Sequence, residues 1–284
     1  ALLQSERDSY LSDLQRIQAD FDNFRRQAQK RQTDLTKQAA SGIVEKILPV
    51  LDACEAAVQQ GATDVEPIKT SLFETLQASG LEIERFLLPV GNDGLNSEGM
   101  SRATTKGTPQ QDSMRWRQSF RGYWHLVTKA IDYLAQFAPV DVIVVQGNHD
   151  FERMFYVGEV LAALYHNNKN VNVDNSLDSR KYYEYGTNMI MFTHGDKEKA
   201  QELPLLIATE QPEMWSRCKV REVHCGHKHK EMLNEYMGTK VRFIPSICAN
   251  DTWHKTQGYV GTLRCGQAYI WNKNRGLEGY LQTN

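Results

Sequence analysis

The 284-residue sequence has no CxxC pair, and its five cysteines are odd in number. That excludes a disulfide scaffold and a zinc-ribbon type of site. No apolar run reaches the length of a membrane span, and no charged leader precedes a short apolar stretch, so the expected setting is reducing and cytoplasmic. Charge of one sign is also missing, because 33 Lys+Arg face 35 Asp+Glu for a net of -2. Without a basic field, nucleic acid is expected at most as a substrate. The first 86 residues contain neither Trp nor His, whereas all five Trp and all eight His follow residue 110. Chemistry is therefore expected in the second part of the chain. With hydrophobic residues at 40% and charged residues at 24%, the chain can still bury a sizeable core.

What the first part does have is helical period. Leu3, Tyr10, Leu14, Ile17, Phe21, Phe24, Ala28 and Leu35 mostly follow steps of four and three, a heptad seam that requires a partner helix. A second helix carries Ile43, Ile47, Leu51, Cys54 and Val58 on one face, with Pro49 as a kink and Gly61 as its stop. A third, from about Val65 to Ser79, ends at Gly80. Together with the strings Asp20-Phe21-Asp22-Asn23-Phe24-Arg25-Arg26 and Leu48-Pro49-Val50-Leu51-Asp52, residues 1–86 resemble GrpE, the nucleotide exchange factor of DnaK-type chaperones. The resemblance implies a homodimer through this segment and a DnaK-type chaperone as partner. The bland reading of the same heptads is a helical bundle or spacer.

Beyond Ile83 the pattern becomes α/β. Phe86–Val90, Val140–Val145, Met189–Phe192 and Val220–His224 read as buried strands. They run into Gly91-Asn92-Asp93, Gly147-Asn148-His149-Asp150, His194-Gly195-Asp196 and Gly226-His227-Lys228-His229 respectively. Amphipathic helices are expected at Trp116–Gln136 and Val157–Tyr165. Strands that each deliver Asp, Asn or His beside a Gly gather metal-binding side chains on one edge of the sheets.

These four strings resemble those of the calcineurin-like metallophosphoesterases, and of a phage or prophage branch among them. For residues 87–284 the resemblance implies an α/β sandwich and hydrolysis of a phosphomonoester or phosphodiester through metal-activated water. It assigns Asp93, Asn148, His194 and His227 to one ion and Asp93 with His229 to a second. Mn²⁺ is the first choice, with Fe or Zn²⁺ as alternatives. His149 becomes the acid that protonates the leaving oxygen, and Asp150 the group that orients its ring. Asn96, Thr105 and Lys106 are candidates for touching the phosphate, against the plain reading of a polar turn. The family opens with an Asp-x-His string that this sequence lacks. One half-site is thus incomplete and the sheet is short of its first strand, as if two truncated families were joined near residue 86. The competing reading is a GrpE-like co-chaperone or scaffolding dimer whose phosphoesterase part is silent.

Among the remaining residues, His224 is expected in the core or pocket wall, His125 and His166 on solvated helix faces, and Cys225 buried. Trp253 and His254 are expected at the substrate mouth or on an edge strand.

Overall fold

The computed structural model describes residues 83–110, 115–247 and 263–283, with isolated positions 23, 27, 258 and 261. The heptad seam, the two helices after it, Cys54, Trp253 and His254 lie outside the described residues. By compactness the chain divides into Ala1–Leu81 and Glu82–Asn284. The second unit starts ahead of residue 86 because Arg85 clamps Asp141 with two bonds of 2.7 Å and Glu84 accepts from the Tyr185 hydroxyl at 2.9 Å.

Two sheets build the second unit. The smaller holds β1 (Phe86–Gly91), β2 (Val140–Val145) and β3 (Val171–Asp174) in that spatial order, all parallel. The Phe86 N–H donates to the Pro139 carbonyl on the β2 side, so by alternation Pro89, which has no N–H, faces the opposite edge. Among the described residues no strand pairs with that edge. The larger sheet comprises β4 (Lys181–Tyr185), β5 (Asn188–Thr193), β6 (Val220–Cys225), β7 (Met232–Tyr236) and β8 (Thr239–Phe243). Its order is β4-β5-β6-β8-β7, with a parallel centre and antiparallel edges. A separate hairpin joins β9 (Gly266–Asn272) and β10 (Gly276–Thr283).

Alternation along the strands decides the layers. Val140, Val142 and Val144 of β2 face α1 (Trp116–Leu134) and α2 (Phe151–Tyr165), meeting Ile131, Met154, Val157 and Leu161. Ile143 and Val145 turn the other way and meet Ile190 and Phe192 of β5, so the two sheets pack face to face. Met189, Met191, Val223 and Val241 cover the far side against Leu203 and Ile207 of α3 (Leu203–Glu210), which precedes the short α4 (Pro212–Arg217). Strands buried on both faces are near-continuously apolar, as Val140–Val145 is apart from Asp141, whose carboxylate is paired with Arg85 and the Tyr183 hydroxyl. Among the described residues, no helix is long and apolar enough to cross a membrane.

The helix expected from Val157 begins earlier, at Phe151, directly behind the Gly-Asn-His-Asp string. Its first turns pack Met154 into the core beneath β2, and this contact extends the helix back to the strand's end.

Candidate metal centre

Four strand ends converge. Asp93 follows β1, Asn148 follows β2, His194 follows β5 and His227 follows β6. Ligand atoms of Asp93, His194 and His227 all lie within 4.8 Å of one another. His194 Nε2 is 2.7 Å from Asn148 Oδ1, 3.2 Å from Asp93 Oδ2 and 3.2 Å from His227 Nδ1, which is itself 3.1 Å from Asn148 Oδ1. Neighbouring ligands that share an ion at about 2.0–2.2 Å are spaced by similar distances.

The protons sharpen the point. His194 Nδ1 faces Asn92 Oδ1 at 2.5 Å, and an amide oxygen can only accept, so Nδ1 carries the hydrogen. Nε2 then presents its lone pair to a carboxylate oxygen, an amide oxygen and a second imidazole nitrogen. A single proton could satisfy one of these contacts, whereas one cation satisfies all four donor atoms. Burial lowers the pKa of His227 and favours the neutral ring that binds metals. Burial pushes Asp93 up, but where His194 is protonated instead of holding an ion, its Nε2–H and charge, with the His149 charge behind them, hold the carboxyl below the usual carboxylate range.

The backbone is forced into place around these groups. Asn92 (φ 59), Asp93 (φ 67), His227 (φ 60) and His229 (φ 52) all occupy the left-handed region, where Asn, Asp and His are better tolerated than most residues. A Cβ on Gly147 would sit 2.0 Å from Asp93 Oδ1 and 2.5 Å from its backbone nitrogen, so only glycine lets the β2 turn close on Asp93. Gly226 does the same for the Asn92 side chain, whose oxygen a Cβ would meet at 2.4 Å.

His229 is half-buried two residues beyond His227 and lies outside the cluster. Asn96 and Lys106 are exposed. Thr105 donates from both its N–H and its hydroxyl to the Asn148 carbonyl, each at 2.9 Å, so its loop braces the backbone of Asn148. A cavity of about 200 Å³ adjoins the cluster, sharing Asn148 and His194 with it and lined also by Thr105 and Lys106.

One expected role is corrected. Asp150 does not orient the His149 ring: its carboxyl, fully buried, accepts the N–H groups of Leu95 at 2.9 Å and Gly147 at 3.0 Å. It ties the loop after β1 to the loop after β2. Burial, reinforced by the Asp93 charge, pushes its pKa up to about 7. The His149 ring is instead held through Nδ1, 3.0 Å from the Asn96 carbonyl, while the His149 backbone N–H donates to Asp93 Oδ1 at 2.9 Å. Asn92 is the residue that sequence reasoning missed. Its signal was an Asn, tolerant of left-handed backbone, placed between Gly91 and Asp93. Elsewhere His224 is buried, Cys225 is buried with its thiol pushed up to about 12 by desolvation, and His125 and His166 are exposed, as their positions implied.

Comparison with known proteins bears on the other end of the chain. Residues 1–84 match the sequence model of the GrpE family. Protein GrpE of Corynebacterium efficiens is 36% identical over 80 residues, covering 27% of this chain and 33% of that protein. Protein GrpE of Synechococcus sp. is 45% identical over 58 residues, covering 20% and 26%. Protein GrpE of Janthinobacterium sp. is 37% identical over 84 residues, covering 30% and 45%. The chain thus spans less than half the length of these relatives. The N-terminal segment is similar to GrpE, and these matches give the phosphoesterase reading of residues 87–284 no support.

Proposed function

We propose that the chain acts through a GrpE-like dimerising segment with a DnaK-type chaperone as its partner. The match of residues 1–84 to the GrpE family carries this reading, and the heptad seam, which needs a second helix to bury it, supports it. The full-length chain is expected to sediment as a dimer at micromolar concentration and to accelerate ADP release from a DnaK-type chaperone. A monomeric chain overturns the dimer. A dimer that leaves ADP release unchanged assigns the segment to scaffolding.

A second reading rests on the acceptor cluster, whose donor set suits a divalent metal: residues 87–284 hydrolyse a phosphate ester. Asp93, Asn148, His194 and His227 would hold the ion, Mn²⁺ by preference with Fe or Zn²⁺ as alternatives, and His229 belongs to a second, incomplete half-site. An ion held there supplies Lewis-acid neutralisation of a phosphoryl oxygen. As an imidazolium, His149 would give the leaving oxygen the proton on Nε2 and keep the one on Nδ1, which the Asn96 carbonyl accepts. Thr105 fixes Asn148, and Lys106 offers positive charge at the cavity rim. Single-turnover hydrolysis of an aryl phosphate is expected to be weak and Mn²⁺-stimulated, and to fall roughly 10²-fold in His149→Ala or Asn148→Ala. Robust hydrolysis insensitive to a chelator would sink this reading.

A further inference from the structure

The outer face of α1 carries a column of basic side chains that packing does not require. Arg117, Arg121, His125 and Lys129 follow one another at steps of four, all exposed, and Arg115 is exposed just ahead of the helix. Each step rises about 6 Å and turns about 40°, so the column runs about 18 Å along one side of α1. Like charges four apart weaken a helix slightly, and acids on the facing turns would relieve them. Among the described residues, Arg115, Arg117, Arg121 and Lys129 have no carboxylate partner. Asp132, the one acid of α1, accepts from the Tyr165 hydroxyl at 2.7 Å. Glu152 and Glu159 of α2, the neighbouring helix, are engaged by the Tyr156 hydroxyl and the Asn175 amide.

The column begins beside the metal cluster. β1 and β2 are parallel, so the helix joining them runs back against the strands, and the N-terminus of α1 lies at the edge where the cluster forms. Arg153 fastens that N-terminus to the loop after β1, donating to the Ser97 carbonyl at 2.5 Å, the Trp116 carbonyl at 3.0 Å and the Ser119 hydroxyl at 3.1 Å. Ser97 adjoins Asn96, whose carbonyl holds the His149 ring. Cations therefore lead away from the group placed at the leaving oxygen. A small ester bound at the cluster is too short to use them, whereas a chain of phosphates is not.

We infer that the exposed face of α1 binds the backbone of a single-stranded nucleic acid whose scissile phosphodiester lies at the cluster. A single column of cations tracks one backbone, and contacts to phosphate position a strand without reading its sequence. A net charge of -2 over the whole chain does not oppose this, because the cations are collected on one face. The inference rests on the phosphoesterase reading for the fate of the strand, but not for its binding.

The test is fluorescence anisotropy of a labelled DNA strand of about 15 nucleotides with the full-length chain, in chelator to prevent cleavage, from about 50 to 200 mM salt. Affinity is expected to fall as salt rises. Arg117→Gln, Arg121→Gln and Lys129→Gln together should weaken binding about tenfold or more at the lower salt. They should also flatten the slope of log affinity against log salt by about 2, since each lost backbone contact removes about 0.7. Arg117→Lys with Arg121→Lys keeps the charge and is expected to keep both affinity and slope. Equal affinity in the parent and the triple glutamine variant overturns the inference while leaving the metal-site reading in place. Tighter binding of a polyglutamate peptide or of phosphatidylserine vesicles than of the strand overturns it too, and assigns the face to an acidic protein segment or to a membrane surface. A strand that the column holds but that stays uncut when Mn²⁺ replaces the chelator overturns the phosphoesterase reading and leaves the binding face standing.

Discussion

Asp93→Ala is expected to weaken Mn²⁺ binding by at least 100-fold and to erase any metal-dependent rise in thermal stability. In the proposed site Asp93 is the only charged donor in a set otherwise made of an amide and two imidazoles, and it alone would offset the charge of a divalent ion held there. Its second oxygen accepts the His149 N–H, so the same substitution also frees the loop that carries Asn148 and His149. Asp93→Asn separates the two effects, because the amide oxygen can still accept that N–H while the charge is gone. A ligand present at about 100 times its dissociation constant stabilises a fold by about 2.7 kcal/mol. Thermal unfolding with Mn²⁺ or chelator, read beside calorimetric titration, measures both quantities. A parent chain that melts at one temperature in either condition, or an Asp93→Ala variant of undiminished affinity, removes the metal centre.

The parts of the fold that were legible in the sequence are those with an unambiguous period. Val140–Val145 could only be a strand covered on both faces, and Trp116–Leu134 carries an apolar stripe. The β7/β8 hairpin was hidden because its two-residue turn uses Met237 (φ 49) and Gly238 (φ 74), where the familiar signal is Asn-Gly or Asp-Gly. The turn from β4 to β5 places Gly186 (φ 60) first, but Lys181–Tyr185 is made of charged residues and tyrosines and lacks the aliphatic content of a core strand. The short β3, four residues long, offers too few alternations to register.

For the site, strand-end residues were readable because a parallel sheet collects them on one edge. Roles that depend on side-chain direction were not. Asp150 follows His149 immediately, but consecutive residues at a helix start point to different sides, so its carboxyl reaches back to Gly147 and across to Leu95. Asn92 contributes through a contact with His194 that spans 102 positions, and no local pattern reports such a distance.

The largest loss of stability is expected from a residue outside the site. Glu222 of β6 points away from the helices, between the sheets, and is only 1% exposed. Its Oε1 accepts from Arg242 Nε at 2.7 Å and faces His224 Nε2 at 3.2 Å. Arg242 is itself buried, its guanidinium 5.0 Å from the centre of the Tyr269 ring. Glu222→Ala would leave that cation desolvated and unpaired, and removing one partner of a buried ion pair costs about 3–5 kcal/mol. Glu222→Met combined with Arg242→Met should recover most of the loss, since no charge is then stranded. Burial raises the Glu222 pKa, but its bonds to His224 and Arg242 hold it below the usual carboxylate range. A carboxyl depressed in the folded state contributes stability above its unfolded value of about 4.3 and loses that contribution as pH falls through the folded value. Acid should therefore destabilise the parent more steeply than Glu222→Gln below about pH 4. Because every Trp lies after residue 110, tryptophan fluorescence in urea reports on this part of the chain without signal from the GrpE-like segment. A loss below about 1 kcal/mol in Glu222→Ala, or parallel acid profiles for the parent and Glu222→Gln, would show that the buried pair joining β6 to β8 contributes little to stability.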